Sequence, residues 1–276
     1  MIIIMKNLFA RLKLAYAIAV VTYKEWAAYR THSMVSIFVG PAWFLAQVSI
    51  WRAVYSDGST IGGMSLNEMI TYYGISTLIG YLVMDFADWN LQMLIRTGKY
   101  TTYALRPMHH RFFALSQKLG HRTLGFLFEF LPVLALFTLL FRFDPRPASW
   151  LWALLSIALG FLVQFYINYC IGLIGFWLVR TQGIRHIIHL LTSICSGAML
   201  PLVMLPQAVQ GIAFFLPFQY TVYVPSMVFS GTYRLGAFSM GIESIVGIQA
   251  LYCLALLLLS ELLYRLGMKR FTAAGA

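Results

Sequence analysis

The sequence predicts an all-α integral membrane protein with six transmembrane helices, on the basis of three observations. Hydrophobic residues make up 60% of the 276 positions and only 11% are charged, against about 25% charged in an ordinary soluble domain. Residues 187–233 carry no formal charge, more than twice the roughly 20 residues that cross a bilayer as a helix. Lysines and arginines collect in alternate connections between the apolar segments. We therefore expect residues 1–276 to form one domain embedded in lipid.

The first expected element is a helix at the membrane surface. Residues 1–30 contain five basic residues around an apolar run from Leu14 to Tyr23. Ten residues rise only about 15 Å as an α-helix, so this run is too short to cross a hydrocarbon core of roughly 30 Å. Basic residues beside a short apolar stretch are typical of a helix that lies in the interface. Residues 1–30 are therefore predicted to form an amphipathic interfacial helix.

Six charge-poor segments follow and predict the membrane spans. The second is bounded by Glu68 and Asp85, and the third is interrupted by Glu129 and Pro132. The fourth is longer than one crossing needs, so it must tilt, kink or protrude. The spans are expected at about residues 33–51, 69–84, 123–141, within 148–179, 187–205 and 244–264.

The distribution of basic residues sets the orientation. With the N-terminus inside, sixteen lysines and arginines fall on the cytoplasmic side and four fall outside, in agreement with the positive-inside rule. Both basic termini are therefore expected in the cytoplasm, which requires an even number of crossings. Residues 187–233 then cross once. The proline-rich part, residues 206–231 with Pro206, Pro217 and Pro225, is expected to turn back at the outer side as a re-entrant helical hairpin covered by protein or a wet cavity.

The largest polar segment, residues 85–122, is cytoplasmic in this topology. Its pattern predicts a helix over 89–96, a break at Gly98, a short turn or helix over 100–105 and a stop at Pro107. A glycine hinge, an apolar face of Tyr100, Tyr103 and Leu105, and a proline stop suit a short rigid element that docks into a groove. The alternative is a solvated loop whose basic residues face the inner leaflet.

Signals for an enzyme or a cofactor site are weak. The run from Thr97 to Tyr100 resembles a phosphate-binding loop, but Met93 stands where glycine is needed and Tyr100 where Ser or Thr is needed. We expect no catalytic residue, no metal and no cofactor on this chain, and no binding of nucleic acid, because the net charge of +11 follows from the orientation rule. His186 and His189 could share a helix face, but interfacial packing is favoured over a metal site.

Three polar side chains within the predicted spans are candidates for a pathway or for interhelical contacts. Glu129 is the one formal charge deep in a span, where a carboxylate costs about 2.5–3.5 kcal/mol on insertion scales. We expect it to face the bundle interior, pair with a cation or be protonated. Its role is either that of a pathway or coupling residue or that of a structural polar contact. Gln164 and Asn168 share a face and are expected to form hydrogen bonds between helices rather than to bind substrate. Glu261 and Arg265 suit an i,i+4 ion pair.

Two segments resemble those of one family. IRTGKYTTYALRPMHHRF, between spans two and three, resembles the cytoplasmic coupling element of the ABC-2 type permeases, which are transmembrane subunits of bacterial ABC exporters. LPQAVQGIAFFLPFQYTVYVP resembles their proline-rich re-entrant segment before the last span. The order of elements over essentially the whole chain is similar to theirs, including "LRP" at Leu105, Arg106 and Pro107 after a turn at Gly98.

The resemblance implies an assembly and a function. Two permeases, identical or related, would pair in the bacterial inner membrane with two ATPase subunits, which bind ATP and Mg²⁺. Their movement would reach the spans through the segment 85–122, and an amphiphilic or small-molecule substrate would leave the cytoplasm. The contacts to the ATPase are expected at Gly98, Tyr100, Thr101, Leu105, Arg106 and Pro107. The alternative functions are a secondary transporter with Glu129 as proton carrier and an intramembrane enzyme; the substrate stays open.

Overall fold

The computed structural model describes residues 2–28, 30–55, 60–141, 146–178 and 181–271, and nearly all of its regular structure is helical, as the sequence predicts. The helices in chain order are α1 (Ile2–Ala28), α2 (Arg30–Val54), α3 (Leu66–Val83), α4 (Ala87–Arg96), α5 (Tyr100–Ala104), α6 (His110–Gly125), α7 (Leu131–Phe141), α8 (Trp150–Leu173), α9 (Gln182–Cys195), α10 (Gln207–Phe215), α11 (Tyr223–Phe229) and α12 (Ile242–Met268).

Short irregular elements complete the chain. A π-helical turn, Phe126–Phe130, joins α6 to α7, and 3₁₀ turns occupy Ile174–Phe176, Leu202–Met204 and Pro217–Tyr220. Strands β1 (Arg234–Leu235) and β2 (Phe238–Ser239) form an antiparallel hairpin that pairs Arg234 with Ser239. This hairpin was not expected from the sequence.

Within the described residues, three helical stretches are long and apolar enough to cross a bilayer. They cover His110–Leu139, Trp150–Phe176 and Ile242–Met268, which include the third, fourth and sixth predicted spans. Helices α2 and α3 lie where the first two spans are expected. The count of six spans and the cytoplasmic position of both termini stay predictions.

The fifth predicted span differs most from the structure. In place of a helix over residues 187–205, α9 begins at Gln182 and ends at Cys195. Its 14 residues rise about 21 Å, which is less than the roughly 30 Å of a hydrocarbon core. The helix ends because Gly197 adopts a left-handed φ of 78° and Pro201, which lacks a backbone N–H, follows within a turn.

The third predicted span begins earlier than expected. Helical structure is continuous from His110 through α6, the π turn and α7, so residues 110–122 of the polar segment are helix rather than loop. The π turn lies just before Pro132, which cannot donate a backbone hydrogen bond to the preceding turn. Widening the helix by one residue accommodates that loss.

The N-terminal helix forms as expected and packs along α6. A side chain at Gly120 would collide with the backbone of Ala19, so the two helices approach closely only because position 120 has no Cβ. Phe9, Leu12 and Tyr16 remain exposed on α1, which suits a helix against lipid. Its position in the membrane interface stays a prediction.

Helix α8 is the centre of the bundle and contacts α3, α4, α11 and α12. Gly160 lies against the carbonyl oxygen of Thr221, where an added Cβ would lie 2.9 Å away. Pro206 precedes α10, Pro217 begins a 3₁₀ turn, and Pro225 lies buried in α11. Residues 218–226 are all buried, which fits the expectation that irregular backbone here is covered by protein; its re-entry into the membrane stays a prediction.

Candidate functional site

The candidate site is one end of the bundle, formed by α4, α5, the start of α6 and the ends of α8 and α12; we call it the loop end. Helix α4 is fixed on α8 by two contacts. Leu91 is buried against Gly172, where an added Cβ would lie 3.0 Å from the Cβ of Leu91. The Gln92 amide donates to the carbonyl oxygen of Ile171 at 3.1 Å. The polar segment is therefore a packed helix and not a solvated loop at this point.

The predicted break at Gly98 is confirmed by the backbone. Gly98 has a left-handed φ of 71°, a conformation that glycine adopts without the steric cost of a Cβ. The Thr97 hydroxyl donates to the carbonyl oxygen of Met93 at 2.7 Å, and the Thr101 hydroxyl donates to that of Gly98 at 2.9 Å. The same two carbonyl oxygens also accept the backbone N–H groups of Thr97 and Thr101, so side-chain and backbone bonds together fix the turn.

Tyr100 anchors α5 instead of facing outward. Its side chain is completely buried, with its ring centroid 5.2 Å from that of Phe176, 5.3 Å from that of Phe271 and 5.3 Å from that of His110. Edge-on aromatic pairs of this kind are favourable beyond their buried area. The expected apolar face of Tyr100, Tyr103 and Leu105 is therefore divided, because Tyr100 points into the bundle.

The outward surface of the segment is the tip Leu105–Arg106–Pro107. Leu105 is 87% exposed, and Arg106 and Pro107 are exposed beside it. The Arg106 guanidinium lies 4.4 Å from the ring centroid of Tyr103 and 5.3 Å from that of Phe113. This stacking holds the guanidinium in place, so the tip presents an apolar side chain and a positive charge in a fixed arrangement.

Asp85, in the connection before α4, lies where α3, α6 and α8 meet. The Asn168 amide donates to its backbone carbonyl at 3.1 Å and to its carboxylate at 3.3 Å, while Gln164 donates to Asn168 at 3.2 Å on the same helix. Both residues were expected to form hydrogen bonds between helices. Instead, Asn168 bonds to the connection between α3 and α4, and Gln164 bonds to Asn168 within α8. Burial raises the pKa of the Asp85 carboxyl, and the nearby Lys118 charge opposes that rise.

Two cations on α6 are buried beside this aspartate. The Lys118 ammonium donates to the carbonyl oxygen of Phe161 at 2.8 Å and to that of Val83 at 3.3 Å, and it lies 4.0 Å from the Phe161 ring centroid. The Arg122 guanidinium donates to the carbonyl oxygen of Tyr81 at 2.7 Å. Since Tyr81 and Val83 belong to the last turn of α3, both cations lie at the negative end of that helix dipole.

Glu129 forms an ion pair, which is one of the outcomes that the sequence leaves open. Its carboxylate lies 3.8 Å from the Arg122 guanidinium, and it occurs within the π turn. Turns of this type are frequent at functional sites. The structure thus gives the carboxylate a cationic neighbour on its own helix.

A buried carboxylate on α4 reaches α9. Asp88 is 2% exposed. Its Oδ2 atom forms a hydrogen bond with His189 Nε2 at 2.8 Å and an ion pair with Arg185, whose Nε lies 3.0 Å away. His186 is exposed and does not share this contact. No group of three or more potential metal ligands occurs among the described residues.

Two further features complete the loop end. Glu261 on α12 pairs with Arg265 at 2.7 Å, as predicted, and also with Arg111 at 3.2 Å and His109 at 3.5 Å. A cavity of about 420 Å³ opens between α1, α4 and α6, with Thr22, Trp89 and Gln117 among its lining residues. Sequence reasoning missed the partners of Asp88 and Lys118 and the contact of Arg122 with Tyr81, because these partners lie on other helices.

The described residues form a helical bundle with long apolar helices and an exposed connection at one end. The family model described as "ABC-2 family transporter protein" matches residues 42–275. The chain therefore belongs to the ABC-2 transporter family and is a membrane-embedded permease of the ABC type. This family is generally non-catalytic and implies an ABC ATPase as partner. No curated protein matches the sequence.

Proposed function

We propose that the chain is the permease subunit of an ATP-driven exporter in the bacterial inner membrane. The supporting observation is the tip Leu105–Arg106–Pro107, which is exposed and held by a bundle that buries Tyr100. An exposed leucine beside an oriented guanidinium suits a groove on a partner protein, because the leucine offers apolar area to bury and arginine is enriched among the residues that contribute most to binding energy.

The proposed assembly contains two permeases, identical or related, and two ATPase subunits. ATP and Mg²⁺ bind to the ATPases, and this chain holds neither. Gly98 and Thr101 fix the shape of the turn, Tyr100 anchors it, and Leu105, Arg106 and Pro107 contact the ATPase. The substrate is amphiphilic or a small molecule, and it leaves the cytoplasm.

The proposed topology has six spans with both termini in the cytoplasm. One observation supports the shared location of the tail and the coupling segment: Phe271, beyond α12, contacts Tyr100 of α5 with ring centroids 5.3 Å apart. Residues 1–30 lie in the inner interface, and residues 206–231 lie on the outer side.

The test is a double substitution at the tip, Leu105→Asp with Arg106→Glu. It removes the apolar anchor and reverses the charge while leaving Tyr100 and Gly98 unchanged. We expect co-purification of the ATPase and ATP turnover of the complex to be lost. The matched control, Arg234→Glu on the exposed β1 strand, should retain both. Intact ATPase association in the double variant would exclude the tip as the docking element.

The alternative is secondary transport with Glu129 as proton carrier. Its ion pair with Arg122 at 3.8 Å is compatible with a structural contact as well as with a proton site. The two functions differ in their energy source, because secondary transport requires no ATPase.

A further inference from the structure

Helix α4 contacts α9 through Asp88. Helix α4 belongs to the segment 85–122, which is proposed to receive movement from the ATPase, and α9 leads into the chain beyond residue 195. Asp88 lies in the first turn of α4, where a negative charge is favoured by the helix dipole. Its buried carboxylate forms a hydrogen bond with His189 and an ion pair with Arg185. These two residues are four apart and share one face of α9. Charge-assisted bonds to a buried carboxylate are strong and directional.

Helix α9 has few other attachments. The structure describes all of its residues, and among them only Cys195, the last one, is buried. Ile187 and Leu190 are 61% and 60% exposed. Its first half contacts α4 through Arg185 and His189, beside Ile188, which is partly buried against the core.

The opposite end of α9 runs directly into the outer segment, which we define as residues 196–240 and whose first residues are bonded to α3. The Tyr72 hydroxyl donates to the carbonyl oxygen of Gly197 at 2.7 Å, and the Tyr73 hydroxyl donates to that of Met199 at 2.9 Å. The backbone N–H of Tyr223 donates to the carbonyl oxygen of Ser196 at 2.9 Å. Helix α9 thus bridges the loop end and the outer segment.

We propose that Asp88 is a positioning residue that transmits movement of α4 and α5 to α9 and, through α9, to the outer segment. This inference rests on the proposed function, since it needs an ATPase that moves the tip. A movement of α4 displaces α9 because the contacts of Asp88 join them, and the chain at Ser196, bonded to Tyr223 of α11, carries the displacement onward.

The experiment uses the complex with its ATPase, with Cys170, Cys195 and Cys253 replaced by alanine and Met199→Cys as a reporter. Met199 is 50% exposed, and the bond from Tyr73 goes to its backbone. Its rate of labelling by a maleimide is compared between the nucleotide-free state and the state trapped with ATP and vanadate. The unmodified Asp88 chain should show a difference between the two rates.

Asp88→Asn should abolish that difference while ATPase binding is retained. The charge exchange Asp88→Arg with Arg185→Asp should restore the difference in labelling rate. Such recovery would not be expected if Asp88 were needed only for folding. The matched control is Glu261→Gln, which removes another carboxylate paired with cations at the loop end and should leave the difference unchanged.

Several outcomes overturn the inference. It is overturned if Asp88→Asn shows the same difference in labelling rate as the unmodified chain, or if the unmodified chain shows no difference although its ATPase is active. It is also overturned if the charge-exchange variant assembles but does not recover the difference. If Asp88→Asn does not assemble, Arg185→Gln with His189→Gln tests the same link, because both side chains are partly exposed. Failure of the ATPase to bind the unmodified chain would instead reject the proposed function, and this inference with it.

Discussion

The loop end and the outer segment are held together by different chemistry. At the loop end, buried charges bond to carboxylates and to carbonyl groups of other helices, as Lys118 does with Val83 and Phe161. In the outer segment the buried bonds are neutral, as when the Gln249 amide of α12 donates to the carbonyl oxygen of Tyr220 at 2.9 Å. The charged contacts are strong but costly when broken, whereas the neutral ones tolerate the loss of a single bond better.

This contrast suits the proposed division of labour. A region that receives movement from a partner needs stiff links, and charge-assisted bonds supply them. A region that covers irregular backbone needs every carbonyl group satisfied without placing charges deep in lipid. Three substitutions test the comparison, from the largest expected effect to the smallest.

Lys118→Met should have the largest effect. It removes two hydrogen bonds at the loop end and leaves the Asp85 carboxylate without its nearby cation. Breaking a buried charge pair by removing one partner costs about 3–5 kcal/mol. We expect a clear fall in the thermal unfolding temperature of the purified protein, and an unchanged value would show that this cation does not stabilise the loop end.

The same variant should also become more sensitive to pH. Burial already raises the pKa of the Asp85 carboxyl, and loss of Lys118 raises it further. A carboxyl whose pKa is higher in the folded than in the unfolded state binds more protons when folded, so stability falls as pH rises through that pKa. The deficit of Lys118→Met relative to the unmodified protein should therefore grow as the pH is raised.

Gln249→Leu should have an intermediate effect. The Gln249 amide donates to the carbonyl oxygens of Ser156 and Tyr220, both at 2.9 Å, and its oxygen accepts from the Ser156 hydroxyl. Leaving buried carbonyl groups unsatisfied costs about 1–3 kcal/mol. Thermal unfolding should show a smaller loss than for Lys118→Met, with little dependence on pH. A loss as large as that of Lys118→Met would contradict the comparison.

Glu129→Gln should have the smallest effect. Its carboxylate lies 3.8 Å from Arg122, which keeps its bond to Tyr81 in the variant. The glutamine amide has nearly the same size and retains an acceptor oxygen, so we expect a smaller loss of stability than for Gln249→Leu. ATP turnover of the complex should persist. Transport that continues without ATP in the unmodified protein and stops in this variant would favour the proton-coupled alternative over the exporter.

Local signals in the sequence predict much of the structure of residues 85–122. Gly98 and Pro107 interrupt helices by their own backbone properties, so the break and the stop follow without knowledge of the fold. The helical class follows in the same way from the excess of apolar residues. Glu261 and Arg265 pair as expected because four residues separate them on one helix.

The remaining features depend on contacts between distant parts of the chain. Lys118 and Arg122 look like solvated residues of a loop, and only the carbonyl groups at the end of α3 explain their burial in a helix. The partners of Asp88 lie on α9, far along the sequence. The sequence does not distinguish Tyr100 from Tyr103, since both are tyrosines in the same short segment. Tyr100 is buried because its ring packs against those of Phe176 and Phe271.

The position of Phe271 has a practical consequence for handling the protein. Its ring packs on Tyr100, which places the chain just beyond α12 next to the short helix that carries Leu105. A bulky affinity tag or fluorescent fusion attached soon after this residue would crowd the tip Leu105–Arg106–Pro107, which we propose to contact the ATPase.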